Sequence, residues 1–282
     1  MIHRQEHHAG FTLIEMSIVL VIIGLIVGGV LAGQELINLA KIRKQVSQIE
    51  EYKTAIVTFK LKYNCLPGDC SNAVQFGFQP RGSAPGEGDG NNLIESNNSG
   101  SGGGDDRQGE SLVFWVDLSA AQLIPAGLSI GTFSTDIRMM TPETLYPRGA
   151  LNGRTFLFAW STEGINRLSI HGTGYYIAGT TRNDHTVVTP FQALSMDTKT
   201  DDGLPMTGRT TILVAGGPWQ YWAINDDSST WNRSYWFDTS AALAGSLTTC
   251  VDNNGVAGPN LLRYSTSQGN GTAPTCSLSF QF

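Results

Sequence analysis

The chain has 282 residues, enough for one large domain or two small ones, with 40% hydrophobic and 15% charged residues. A net charge of −6 argues against a broad nucleic-acid-binding face, and a solvated helix face accounts for the one basic cluster, Lys41, Arg43 and Lys44. The 33 glycines fall in loop-like runs without a fixed period, so collagen-like and solenoid repeats are excluded.

The chain opens on a polar leader, Met1–Gly10, with Arg4, Glu6 and three histidines. It lacks an apolar region of its own, unlike an ordinary secretory signal peptide. After Gly10 the chain turns apolar from Phe11 to Ala32. As a helix that segment covers roughly 33 Å, enough for a bilayer core. Glu15 is the one charged residue in it. A carboxylate in hydrocarbon needs a partner or becomes neutral. A cut after Gly10 would create one, the new α-ammonium of Phe11. The residues alone leave a second reading open, an interfacial Glu15 facing water.

Beyond Gln34 the apolar residues Leu39, Ile42, Val46, Ile49, Tyr52, Ile56, Phe59 and Tyr63 recur at spacings of three and four. Lys41, Lys44, Gln48, Glu51 and Lys60 fall on other faces. This periodicity, with no Pro to interrupt it, predicts one helix over residues 11–63, about 80 Å long. Pro67-Gly68-Asp69 then supplies a turn. Gly24, Gly28, Gly29 and Gly33 weaken the helix but allow close helix packing.

Gly10-Phe11-Thr12-Leu13-Ile14-Glu15 resembles the prepilin processing and methylation motif of type IV pilins and type II secretion pseudopilins. The resemblance implies an α+β, pilin-like fold: a long N-terminal helix packed on an antiparallel β-sheet head. It implies cleavage between Gly10 and Phe11 by a prepilin peptidase, methylation of Phe11, and pairing of Glu15 with the new N-terminus during assembly. The implied partners are other pilin or pseudopilin subunits and an inner-membrane assembly platform. The precursor is expected in the bacterial inner membrane with its head outside the cytoplasm. One departure from many filament-forming pilins is that no Pro precedes Pro67.

The expected organisation is a leader over 1–10, a helix over 11–63 that spans the membrane over 11–32, and an exported head over 64–282. Lys62 to Asp69 also resembles the helix-exit segment of large pilin-like proteins, as Met196 to Pro205 resembles another recurrent segment of theirs. A Gly-rich loop is expected over 81–110, without a core, and an amphipathic helix over Glu110–Leu128. Strands are expected at Thr155–Trp160, Tyr175–Gly179, Thr210–Ala215, Gln220–Ile224 and Tyr235–Phe237, with a helix at Thr189–Thr198. The four cysteines allow three pairings. In an exported head the local pairs Cys65–Cys70 and Cys250–Cys276 are expected, the longer loop contributing about 3–4 kcal/mol.

Other candidates have plainer explanations. Gly127-Leu128-Ser129-Ile130-Gly131 has the spelling of a nucleophile elbow but lacks the strand before and the helix after. Asp69, Asp89, Asp105, Asp106, Asp201 and Asp202 offer oxygens to calcium, and Glu87 to Asn91 is a fragment of a calcium-loop spacing. Turn chemistry explains these residues without an ion, so no cofactor is expected. Seven aromatic rings between Trp219 and Phe237 suit a hairpin whose inward rings are core, with a contact surface for a filament-tip adhesin as the alternative. His171 and His185 lack partners at catalytic or metal spacing. The chain is expected to be a structural subunit, not an enzyme.

Overall fold

The computed structural model describes residues 12–81, 88–95, 109–125, 127–128, 142–153, 155–162, 164–172, 175–177, 180–182, 187–212, 250–252, 263–266 and 276–282. The fold is α+β and divides into two compact units, Met1–Lys41 and Ile42–Phe282. Helix α1, Leu13–Tyr63, runs for 51 residues through both. In the first unit it is the one helix among the described residues long and apolar enough to cross a membrane. Every residue from 12 to 32 is exposed, as lipid-facing residues of an isolated span must be. A side chain built at Gly24, Gly28, Gly29 or Gly33 would meet nothing within 4 Å.

In the second unit the periodic stripe of α1 becomes core. Ile42, Ile49, Tyr52, Ile56 and Phe59 are buried, with Val46 and Tyr63 packed at the edge. The stripe is wider than its apolar residues suggest, because Gln45 is also buried. Gln45 Oε1 accepts the amides of Ala150 (2.6 Å) and Leu151 (3.2 Å), while Gln48 Nε2 donates to the carbonyl of Arg148 (2.8 Å). Gln48 therefore belongs to the margin of the packed face rather than to the solvent face. These bonds dock segment 148–151 on the helix.

α1 ends where Asn64 enters the left-handed region at φ 57°, followed by the Cys65–Cys70 disulfide (Cα–Cα 5.2 Å) and a short 3₁₀ turn, Ala73–Phe76. Helix α2, Gly109–Ala120, carries Leu112, Phe114, Trp115 and Leu118 in the core. It stops eight residues before the expected Leu128. Gln122 adopts φ 59°, and the amide of Leu123 bonds back to the carbonyl of Leu118 (3.0 Å), a left-handed C-terminal cap. Part of the expected loop is not free of core either, since Ile94 is buried. A single turn, α3 (Pro142–Leu145), precedes the sheet.

The main sheet contains β1 (Phe156–Thr162), β2 (Ile165–His171), β5 (Thr210–Ile212) and β8 (Leu278–Gln281) in the order β1-β2-β8-β5, antiparallel throughout. Two ribbons, β3–β4 (Tyr175–Ile177 and Thr180–Arg182) and β6–β7 (Val251–Asp252 and Arg263–Tyr264), are also antiparallel. The last strand, β8, is central: Leu278 faces Ile170 on one side and Ile212 on the other. Helix α4, Pro190–Thr200, starts on a reciprocal cap. The amide of Gln192 donates to Thr189 Oγ1 (3.2 Å) and the amide of Thr189 to Gln192 Oε1 (3.0 Å), with Pro190 in the first turn. Cys250 and Cys276 are bonded (Cα–Cα 4.9 Å), and Cys276 pairs through its backbone with Val188. This link ties the β6–β7 ribbon to the approach of both α4 and β8. The expected strands at Gln220–Ile224 and Tyr235–Phe237 lie outside the described residues.

Candidate functional site

The first turn of α1 is organised by Glu15. Thr12 N and Thr12 Oγ1 each donate to Glu15 Oε2 at 2.7 Å, and the amide of Glu15 donates to Thr12 Oγ1 at 3.3 Å. This is a reciprocal capping box that closes the exposed amides at the start of an apolar helix. Thr12 has no place among the expected site residues, although Thr-x-x-Glu before an apolar run is the signal for such a cap. Gly10 and Phe11 lie outside the described residues. The carboxylate of Glu15 thus sits within the first turn of the span, four residues past Phe11, where the expected cut falls.

A second concentration of charge lies where the exit from α1 meets α2. Asp117 is buried and carries two partners from far along the chain. Its Oδ2 accepts the amide of Gly68 (2.7 Å), and Arg81 grips both oxygens, with Nη1 at 3.3 Å from Oδ1 and Nη2 against Oδ2. Burial pushes the Asp117 carboxyl up, and the Arg81 guanidinium opposes it. Gly68 adopts φ +88°, and a Cβ there would lie 2.6 Å from the Glu110 carbonyl oxygen. Nearby, Asp69 and Glu110 are both completely buried. Asp69 accepts the amides of Gly90 (2.7 Å) and Asn92 (2.8 Å), and Glu110 accepts those of Gly88 (2.7 Å) and Glu95 (2.9 Å).

A third group lies at the C-terminal end of α4. Tyr264 Oη donates to Asp197 Oδ2 (2.8 Å), Thr210 N to Asp201 Oδ2 (3.0 Å), and Leu204 N and Thr207 Oγ1 to Asp202 (2.8 and 2.6 Å). Asp69, Asp89 and Glu110 bring oxygens within 4.8 Å of one another, as do Asp197, Asp201 and Asp202. Backbone and hydroxyl donors account for the position of these carboxylates, and no ion is assigned to them. Asp105 and Asp106 lie outside the described residues, as do Ser129, His185 and the aromatic run from Trp219 to Phe237. His171 ends β2.

Burial raises the Asp197 carboxyl to about 6, against the hydrogen bond from Tyr264. A raised folded value contributes stability that is complete below the ordinary aspartate range and fades as pH climbs through about 6. Tyr264→Phe removes the opposing donor, so the fade should move to higher pH. The loss of a buried bond to a charged group should also cost about 1.5–3 kcal/mol at pH 7. Denaturant unfolding of the full chain, with a carboxyl NMR titration of Asp197, measures both; an unmoved titration would refute the linkage.

The apolar helix of the first unit, long enough to cross a membrane and capped by a glutamate in its first turn, fits a membrane-anchored precursor. Residues 7–31 match the prokaryotic N-terminal methylation motif, the signature of type IV pilins and pseudopilins, and the chain carries it with Gly10, Phe11 and Glu15 inside the match. No curated protein and no solved structure matches the chain. The motif implies processing by a prepilin peptidase and assembly with other pilins, which is the behaviour of a structural subunit.

Proposed function

We propose that this chain is a minor or specialised structural subunit of a type IV pilus or a type II secretion-like pseudopilus. A peptidase cuts it after Gly10 and methylates Phe11, and the mature chain polymerises through α1. One observation carries the reading. An otherwise uncharged span has its sole carboxylate, Glu15, in the first turn, inside the methylation motif. The ammonium exposed at Phe11 is the complementary charge, and a charge pair in lipid is favoured strongly over either ion alone.

The remaining features are compatible with that life history. Two disulfides suit a head folded outside the cytoplasm. The precursor waits in the inner membrane until an assembly platform lifts it into the filament. Mass spectrometry of the mature N-terminus tests the reading: N-methyl-Phe11 is expected. A functional protein that retains its first ten residues would overturn it and leave a simple membrane anchor.

A further inference from the structure

We propose that Asp69 and Glu110 form a proton-operated clasp, in which a proton held between their carboxyl groups latches segment 88–95 onto the start of α2. Three pieces of chain meet there: the turn after α1, segment 88–95 and the first turn of α2. The two acids supply four oxygens, and each oxygen accepts one backbone amide of the segment, from Gly88, Gly90, Asn92 or Glu95, at 2.7–2.9 Å. The two side chains are completely buried, and a carboxyl oxygen of each lies within 4.8 Å of the other. Two ionised carboxylates this close repel; one proton between them turns the repulsion into an O–H···O bond.

The surrounding charges favour the proton. Asp89 and Glu95 of the segment add negative charge, and Asn91 Nδ2 bridges them, at 3.1 Å from Asp89 and 2.8 Å from Glu95. From α2, Asp117 faces the turn through the amide of Gly68, and it also holds Arg81, so the guanidinium is already neutralised. Burial is the first cause that raises both Asp69 and Glu110, and Asp89 adds to it for both. Groups raised by folding contribute stability that is complete below the ordinary carboxylate range and is lost as pH climbs through their folded values. The clasp is therefore closed in acid and at neutrality and loosens on the alkaline side. Movement stays local, because Asn166 of β2 separately holds the amide of Ile94 (2.9 Å) and the carbonyl of Asn92 (2.8 Å).

Hydrogen exchange of the full chain in detergent micelles tests this, with disulfides intact, in chelator-treated buffer from pH 6 to 9.5, corrected for intrinsic exchange. Protection over 88–95 should fall by about tenfold for each pH unit above release of the proton, while α4 stays unchanged. Glu110→Gln carries its own hydrogen to Asp69, so its protection should be lower but flat with pH; if that variant does not fold, Asp69→Asn makes the same change from the other side. A flat wild-type profile, or a pH response that survives both substitutions, overturns the proposal. So does restored protection at pH 9.5 on adding calcium alone, since a cation would then be what neutralises the pair.

Discussion

Replacing Glu15 with alanine is expected to leave the protein inserted in the membrane and to abolish its incorporation into filaments. The span loses its only charge and becomes more apolar, so insertion does not suffer. Assembly does, because the ammonium of Phe11 would enter the filament interior without a counter-ion, at a cost of several kcal/mol per subunit. At 1.4 kcal/mol for each factor of ten, that is about a hundredfold or greater loss of assembled protein.

Glu15 has a second role in the structure, as the reciprocal cap of Thr12, and the two roles can be separated. Glu15→Gln preserves the cap, since a glutamine at this position serves a capping box as well, but it removes the charge. If the charge pair drives assembly, Gln should fail as completely as Ala; if the cap suffices, Gln should assemble like the native residue. Sheared-filament yield, measured beside membrane fractionation, distinguishes these outcomes. Normal yield from the alanine variant would refute the pairing mechanism outright.

What could be read from the residues, and what could not, follows the range of the interaction. The apolar span, the stripe from Ile42 to Phe59 and the Pro67-Gly68-Asp69 turn are local patterns, and they reappear as α1 and its exit. The expected helix at Thr189–Thr198 is likewise local, set by Thr189, Pro190 and Gln192. Strands β2 and β8 were not anticipated. Ile165-Asn166-Arg167-Leu168-Ser169 mixes polar residues into a half-buried strand, and β8 is a four-residue segment whose partners lie far back in the chain. Glutamines 45 and 48 look like surface positions until segment 148–151, about a hundred residues away, presents amides and a carbonyl to them. The same holds at the site. The Glu15 motif is contiguous and legible, whereas the Asp69–Glu110 pair and Asp197–Tyr264 exist only through folding across 41 and 67 residues.

The largest effect on folding is expected at the Arg81–Asp117 pair, whose partners are 36 residues apart. Arg81→Ala leaves Asp117 buried beside the amide of Gly68, one donor in place of three. Removing one member of a buried ion pair costs about 3–5 kcal/mol, because the survivor is an uncompensated charge. Asp117 can escape by taking up a proton, since burial already pushes its carboxyl up and the opposing guanidinium would be gone. The sign of the pH dependence follows: with the folded value raised further above the unfolded one, stability should be regained as pH falls and lost as it rises. Asp117→Asn keeps an oxygen that accepts from Gly68 and Arg81 but leaves the buried guanidinium without its counter-ion, and arginine cannot shed its charge at these pH values, so that deficit does not change with pH. Denaturant unfolding of the full chain at pH 5 and pH 8 should therefore place both variants below the native protein at pH 8. Only for Arg81→Ala should the deficit shrink in acid. A deficit that is small at pH 8, or equal at both pH values, would show that Arg81 covers Asp117 without neutralising it.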